Sequence, residues 1–532
     1  MTRSGILSGP VLQGLMGVLI LWALTIVPAR PAGVEAFAHL PLEVPLVVLC
    51  LAVLSLRAAR VLAGLVALIA GGVALLHLAD LGMYLAFQRS FNPVIDAHLI
   101  GSGWELASRS FGPIVTAFAV LLVALIAALI LWLCARGLGA LSRWPRVPLA
   151  AAAALVLGIG LLAPGLTGAR TGFTVTSELR ARATRFSQTL HEETRFVQEL
   201  RRPEIGPTPD FAALAGRDIY VIFVESYGRS WLDAPVFRDA ARGRLSAVQD
   251  RLTEAGFASR STWMASPTRG GQSWLAHATA LSGLWVSGQP RYDALIGSDR
   301  ASLNAMFRAA GWETLGVMPA ISRAWPEARW YGYDVMKDAK GLGYHGQPFD
   351  WVTMPDQFTL ARSSALVAAA DRPVMVEAAL ISSHAPWTPQ PEILPWDQIG
   401  DGSVFDGTRR SGAPPSEVWA NPDSIRAAYA RALDYTMEVL GQWIARSGDD
   451  ALIVVLGDHQ PAPLVAGEDA SAAVPVHLIA RDPALLARFS GAWSDGMLPA
   501  DALPERPMSD LRGLIARCLS TGGCAPSPQE GL

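Results

Sequence analysis

Glu225 in VIFVESYG, His384 in ISSHAPW, and Asp458 and His459 in VVLGDHQP are side chains suited to a hard or borderline cation. Carboxylates combined with imidazoles favour zinc or manganese. A lone histidine is more often a packed core residue, and a carboxylate at the end of a strand is often a cap, so the combination carries the reading. Such a cation favours the alkoxide of a nearby hydroxyl and makes it a nucleophile. The stretch SPTRGGQSWLAHATALSG, residues 266–283, offers one. Gly270 and Gly271 permit a tight turn, and Ser273 then opens a helix-like stretch whose free amides suit a phosphate or sulfate. Ser273 as a plain helix cap is the competing reading, and Thr268 is the second hydroxyl in the segment. Arg269 is close enough in sequence to bind an anionic ester oxygen, though it also fits a surface position. His277, four residues after Ser273, shares its helical face, either beneath the site or in a core or capping role. His345 in GYHGQPFD is a further candidate for the cleft, whereas His477 falls inside a strand pattern and reads as packed.

The elements that must position these groups are legible around them. IYVIFV (219–224), VMVEAAL (374–380), ALIVVL (451–456) and VPVHLIA (474–480) read as fully buried strands, the first as in a parallel sheet. Helix-like stretches at 242–255, 273–281, 301–310 and 424–446 lie between them. Strands alternating with helices predict an α/β domain with both faces covered, and ligands bind such sheets beyond the carboxyl ends of the strands. Residues 386–423, rich in Pro, Gly, Asp and Ser, read as a long excursion near that edge, and SPQEGL as a disordered tail.

The first third of the chain has a different character. The 532 residues are 51% apolar and 17% charged, with most of the apolar excess before residue 170. Five apolar runs, at about 8–28, 40–56, 61–87, 112–134 and 147–168, predict five transmembrane helices; the second is short and carries Glu43. A cytoplasmic N-terminus puts Arg3, Arg57, Arg60, Arg136, Arg143 and Arg146 inside and leaves Arg30, Arg89 and Arg109 to the outer loops, in line with the positive-inside bias. The remainder then lies outside: a polar helical linker over 169–215 and a catalytic domain over 216–532. Net charge −3 gives no global basic character that points to nucleic acid. His77 and Asp80, three residues apart in the third run, are intramembrane ionisable groups, either holding a lipid headgroup or bonded within the bundle. Cys518 and Cys524, separated by LSTGG, fit a disulfide in an oxidising compartment or two free thiols.

Taken together, VIFVESYG, HAPW and VVLGDHQP resemble the alkaline phosphatase/sulfatase superfamily, and most closely its membrane-bound lipoteichoic acid synthase and phosphoglycerol transferase branch. The resemblance implies five spans followed by an extracytoplasmic sulfatase-like domain. It implies Glu225, Asp458 and His459 as metal ligands with Ser273 as nucleophile and fourth ligand, and His384 beside the leaving group. Trp325 and Arg329, with Arg323 as an alternative, are the nearest candidates for the family's tryptophan and arginine that contact the substrate phosphate. Two departures narrow it. ASPTR places Ala265 where a sulfatase needs its modified Cys or Ser, which disfavours a sulfatase, and Ser273-Trp274 replaces the family's Thr-Ser pair. The expected function is metal-dependent transfer of a phospholipid headgroup, phosphoglycerol or related, to an envelope glycan or other acceptor through a seryl intermediate, with Mn or Zn. The alternatives are hydrolysis of a phosphate, phosphonate or sulfate ester, phosphoethanolamine transfer, and a non-catalytic envelope scaffold. The expected location is a bacterial inner membrane with the catalytic domain on the periplasmic or extracellular side.

Overall fold

The computed structural model describes residues 9–32, 39–167, 171–202, 208–408, 412–448, 450–489 and 491–524. Arg3, part of the segment after the linker helix, and the tail SPQEGL lie outside them. The chain divides into two compact units, one of residues 1–85 and 89–195, the other of 86–88 and 196–532.

The first unit is helical: α1 (Gly9–Thr25), α2 (Glu43–Val53), α3 (Leu56–Phe87), α4 (Pro93–Phe111), α5 (Pro113–Leu141), α6 (Arg146–Thr167) and the start of α7 (Thr174–Leu200). Proline, which lacks the N–H a first turn cannot use, opens α4 and α5, and Asn92 caps α4 by accepting from Val94 N at 3.0 Å. α1 and α5 meet backbone to backbone at Gly17 and Gly137, where a Cβ on Gly17 would lie 2.4 Å from Leu138 N. Among the described residues, α3 and α5 are long and apolar enough to cross a membrane; Gly9–Thr25, Glu43–Val53 and Arg146–Leu162 are apolar but shorter. The run at 40–56 therefore holds only an 11-residue helix. The runs at 61–87 and 112–134 are parts of longer helices, and α4 was not marked by an apolar run because its mean composition is mixed. Asp80 and His77 are bonded within this unit. Asp80, 2% exposed, takes the Arg182 guanidinium and the Phe91 amide, and His77 Nδ1 lies 2.7 Å from Val27 O.

Among the described residues of the second unit, nine strands form one sheet. They are β1 (Ile219–Val224), β2 (Ala258–Ala265), β3 (Glu313–Met318), β4 (Val335–Asp338), β5 (Val374–Leu380), β6 (Leu452–Gly457), β7 (Ala473–Ala480), β8 (Ser494–Asp495) and β9 (Glu505–Pro507). The spatial order is β8-β2-β7-β6-β1-β5-β3-β4, with β9 against β2. The four apolar runs are all strands, and β6, β1, β5, β3 and β4 run parallel. The sheet as a whole is mixed, because β7 is antiparallel to both β6 and β2. Strands β2 and β3 carry polar and charged residues within their spans, ASRSTWMA and ETLGVM, and so lack the continuous apolar signal. Alternate side chains of β1 feed two cores. Tyr220, Ile222 and Val224 face helices α8 (Arg238–Glu254) and α11 (Pro422–Arg446), while Ile219, Val221 and Phe223 face α9 (Ser273–Ser282) and α10 (Leu303–Ala309). Cys518 and Cys524 are disulfide-bonded, and Cys50 and Cys134 are free thiols.

Candidate metal and nucleophile site

The parallel strands β1, β6 and β5 lie side by side and end at one edge, which brings Glu225, Asp458-His459 and Ser383-His384 together. Val224 pairs with both Gly457 and Leu380, so the three strands run out in register. The turns beyond them interlock closely. A Cβ on Gly457 would sit 1.9 Å from Tyr227 O, and one on Gly228 would sit 1.9 Å from Gln460 Oε1, so both glycines are required by backbone approach. Ser226 takes φ 57°, and its amide donates to Asp458 Oδ1 at 2.8 Å. Ser383 Oγ donates to the Glu225 carbonyl at 2.6 Å.

α9 enters this edge through Gly270, Gly271 and Gln272, all at positive φ, and the Gly270 amide donates to Gln460 O at 2.8 Å. Ser273 is thereby set against the strand ends. Its Oγ donates to Glu225 Oε2 at 3.0 Å and lies 3.2 Å from His459 Nε2. Gln272, not Ser273, stands at the cap position of α9, and the Ser273 hydroxyl bonds outside the helix. Thr268 Oγ1 donates to Gly271 O at 2.7 Å and serves the turn.

One ligand atom each from Glu225, Asp458 and His459 lies within 4.8 Å of the others. His459 Nδ1 donates to Gln460 O at 2.8 Å, so it is Nε2 that faces the two carboxylates, 3.4 Å from Glu225 Oε1 and 3.7 Å from Asp458 Oδ2. The electrostatics call for positive charge. Burial first, then the Glu225 carboxylate, push Asp458 up to about 6. Burial acts to lower His459, but the Asp458 and Glu225 carboxylates outweigh it and raise it to about 9. Burial acts to raise Glu225, but His459, followed by His384, holds it well below the usual carboxylate range. A buried carboxylate, Asp458, a partly buried one, Glu225, an imidazole nitrogen held toward them and a hydroxyl form a donor set that fits zinc or manganese.

The other expected residues divide. His384 is exposed at the rim, and its charge reaches Glu225. Arg269 bridges through its backbone to Gln460, next to His459, and burial lowers its guanidinium. Trp325 packs against Tyr331 and Tyr333 with ring centroids 4.9 and 6.4 Å apart. Arg329 is exposed, and His345, 71% exposed, pairs with Asp401 at 3.4 Å; neither forms a hydrogen bond or ion pair with the Ser273 cluster. His477 is packed as expected, between Tyr227 Oη at 3.0 Å and Ser261 Oγ at 2.7 Å. Sequence reasoning missed Glu377, fully buried in β5 and bonded to His277 at 2.9 Å; the one sign of it was a carboxylate inside an apolar run.

The chain is similar in structure to proteins of the alkaline phosphatase superfamily, including one from Vibrio parahaemolyticus with 14% identity and a TM-score of 0.36 over 61% of this chain and 75% of that one. Among particular structures, it resembles the integral membrane protein lipooligosaccharide phosphoethanolamine transferase A from Neisseria meningitidis, with 12% identity and a TM-score of 0.43 over 94% of this chain and 95% of that one. It also resembles the lipoteichoic acid synthase LtaP from Listeria monocytogenes, with 14% identity and a TM-score of 0.37 over 53% and 70%. No family model and no curated protein matches the chain.

Proposed function

We propose that this chain is a membrane-embedded, metal-dependent enzyme that transfers a phospholipid headgroup, phosphoglycerol or related, to an envelope glycan or another acceptor. The single observation that carries this reading is the placement of Ser273 Oγ, 3.0 Å from Glu225 and 3.2 Å from His459 at the first residue of α9. Glu225, Ser273, Asp458 and His459 would hold the cation, Mn or Zn. A bound cation supplies positive charge that favours the serine alkoxide and offsets charge on the phosphoryl oxygens.

In the first step Ser273 Oγ, its proton released to solvent as the alkoxide forms, attacks the headgroup phosphorus and makes the new O–P bond. The bond from phosphorus to the diacylglycerol oxygen breaks, and His384 delivers a proton to that oxygen. Arg269 and the amides that open α9 face the phosphoryl oxygens. In the second step an acceptor hydroxyl gives its proton to the now neutral His384 and attacks the same phosphorus, and the P–O bond to Ser273 breaks to leave its alkoxide. Trp325, Arg329 and His345 are the residues assigned to the bound substrate. Arg329 is solvent-exposed and open to an anionic ligand, whereas His345 is exposed beside Asp401.

The membrane reading rests on unit one. α5 leaves Ile114 84%, Phe118 66% and Leu125 59% exposed along its length, an apolar surface that suits lipid rather than water. We read α1, α2, α3, α5 and α6 as five spans, with the second unit on the periplasmic or extracellular side of the inner membrane and direct access to a lipid donor.

The test is mass spectrometry of the Ser273 peptide from protein isolated rapidly with its native membrane. A phospho-headgroup on Ser273 is expected, and its mass identifies the donor. An adduct on Thr268, or full metal-dependent turnover by Ser273→Ala, overturns the assignment.

A further inference from the structure

One buried ionisable group has no part in the transfer chemistry. Glu377 lies in the middle of β5, opposite Val221 of β1, and is 0% exposed on the sheet face covered by α9 and α10. A carboxylate in that setting is costly unless its oxygens are satisfied. Its donors come from separate elements. His277 Nδ1 of α9 donates to Oε1 at 2.9 Å, Asn304 Nδ2 of α10 donates to Oε2 at 2.8 Å, and Tyr333 Oη, just before β4, donates to Oε2 at 2.6 Å. An apolar side chain would have packed these elements together without fixing their relative rotation.

The positions of the donors matter more than their number. His277 stands one helical turn after Ser273, on the same face of α9. Its ring stacks on Phe223 at 3.7 Å and 18°, two residues before Glu225. Tyr333 stacks on Tyr331 at 5.8 Å, and both rings contact Trp325. One carboxylate thus receives both the nucleophile's helix and the aromatic wall that carries Trp325.

We propose that His277 is a positioning residue for Ser273. Held by Glu377, it fixes the rotation and depth of α9 against the sheet, and through Tyr333 the same carboxylate sets the Trp325–Tyr331–Tyr333 wall in register with the nucleophile. The inference rests on Ser273 being the nucleophile. Its reach is specific: the substrate phosphoester is aligned by a buried contact between α9 and β5.

The test uses the full chain in detergent, with manganese or zinc supplied and bis(p-nitrophenyl) phosphate as the probe. His277→Leu keeps the bulk and removes the donor; His277→Asn keeps a donor at the position of Nδ1. His277→Leu is expected to lower kcat about tenfold or more with KM nearly unchanged, because a small misplacement of a reacting group is enough for such a loss. His277→Asn is expected to recover most of that kcat. In parallel, hydrogen exchange of the peptide 273–282 should be faster in His277→Leu and close to wild type in His277→Asn. If His277→Leu leaves both kcat and exchange unchanged, or if His277→Asn is as impaired as His277→Leu, the positioning role is wrong. Failure of the functional reading is separable. Wild type that does not turn over the probe, or Ser273→Ala that does, overturns the nucleophile, while exchange of 273–282 still decides whether Glu377 and His277 hold α9.

Discussion

Ser273 Oγ donates a 3.0 Å hydrogen bond to Glu225 Oε2, although 48 residues separate them in the chain. The bond joins the first residue of a helix to the residue that follows the central strand. It places a hydroxyl where two carboxylates and an imidazole converge.

If that hydroxyl is the nucleophile, Ser273→Ala should lower turnover of a fluorescent phospholipid by on the order of 10³-fold or more, with substrate binding largely kept. Ser273→Thr retains a hydroxyl on Cβ and should keep part of the activity. Single-turnover kinetics on the two variants checks this, and equal loss in both would argue that shape rather than the hydroxyl matters.

Bound metal should stabilise the second unit. At a free concentration one hundred times its Kd, zinc or manganese should add about 2.7 kcal/mol to unfolding. Asp458→Asn and Glu225→Gln should abolish that gain and the metal content read by elemental analysis. A melting midpoint equally metal-responsive in both variants would place the ion elsewhere.

His477 should make the second unit acid-sensitive. Burial lowers it from 6.5 to about 3, so the folded protein keeps it neutral while the unfolded chain takes up a proton. Its contribution is therefore intact above pH 6.5 and is lost progressively as pH falls toward 3. Between pH 7 and pH 5 the loss is about 2 kcal/mol. His477→Gln should start less stable but show a shallower fall over that interval in denaturant titrations. An unchanged pH dependence would assign the acid sensitivity to other groups.

Asp80 is a structural tie within the helical unit. It receives the Arg182 guanidinium with side chains 3% and 14% exposed. Asp80→Ala leaves the mostly buried Arg182 with Glu178 as its remaining carboxylate and should destabilise the helical unit by about 1–3 kcal/mol. Asp80→Ala with Arg182→Leu should be less harmful than Asp80→Ala alone. Thermal scans of detergent-solubilised protein distinguish the two, and additive losses would remove the pairing argument.

The amino-acid sequence by itself determined the elements and the reactive groups. Continuous apolar runs such as IYVIFV and ALIVVLG form strands because a sheet covered on both faces needs apolar side chains on both. Glu225, Asp458 and His459 could be picked out because polar groups that follow such runs emerge at one sheet edge. Apolar content likewise marked the segments of α3 and α5, which are long and apolar enough to cross a membrane. Only the tertiary structure decided the rest. The antiparallel course of β7, the strand nature of β2, and the pairing of Asp80 with Arg182 across 102 residues depend on contacts that no local pattern encodes. The same holds for Glu377. Within VMVEAAL it looks like an interruption of a strand, and it acquires meaning once His277, Asn304 and Tyr333 are folded onto it, since a buried carboxylate is tolerable only where distant donors are brought to meet it.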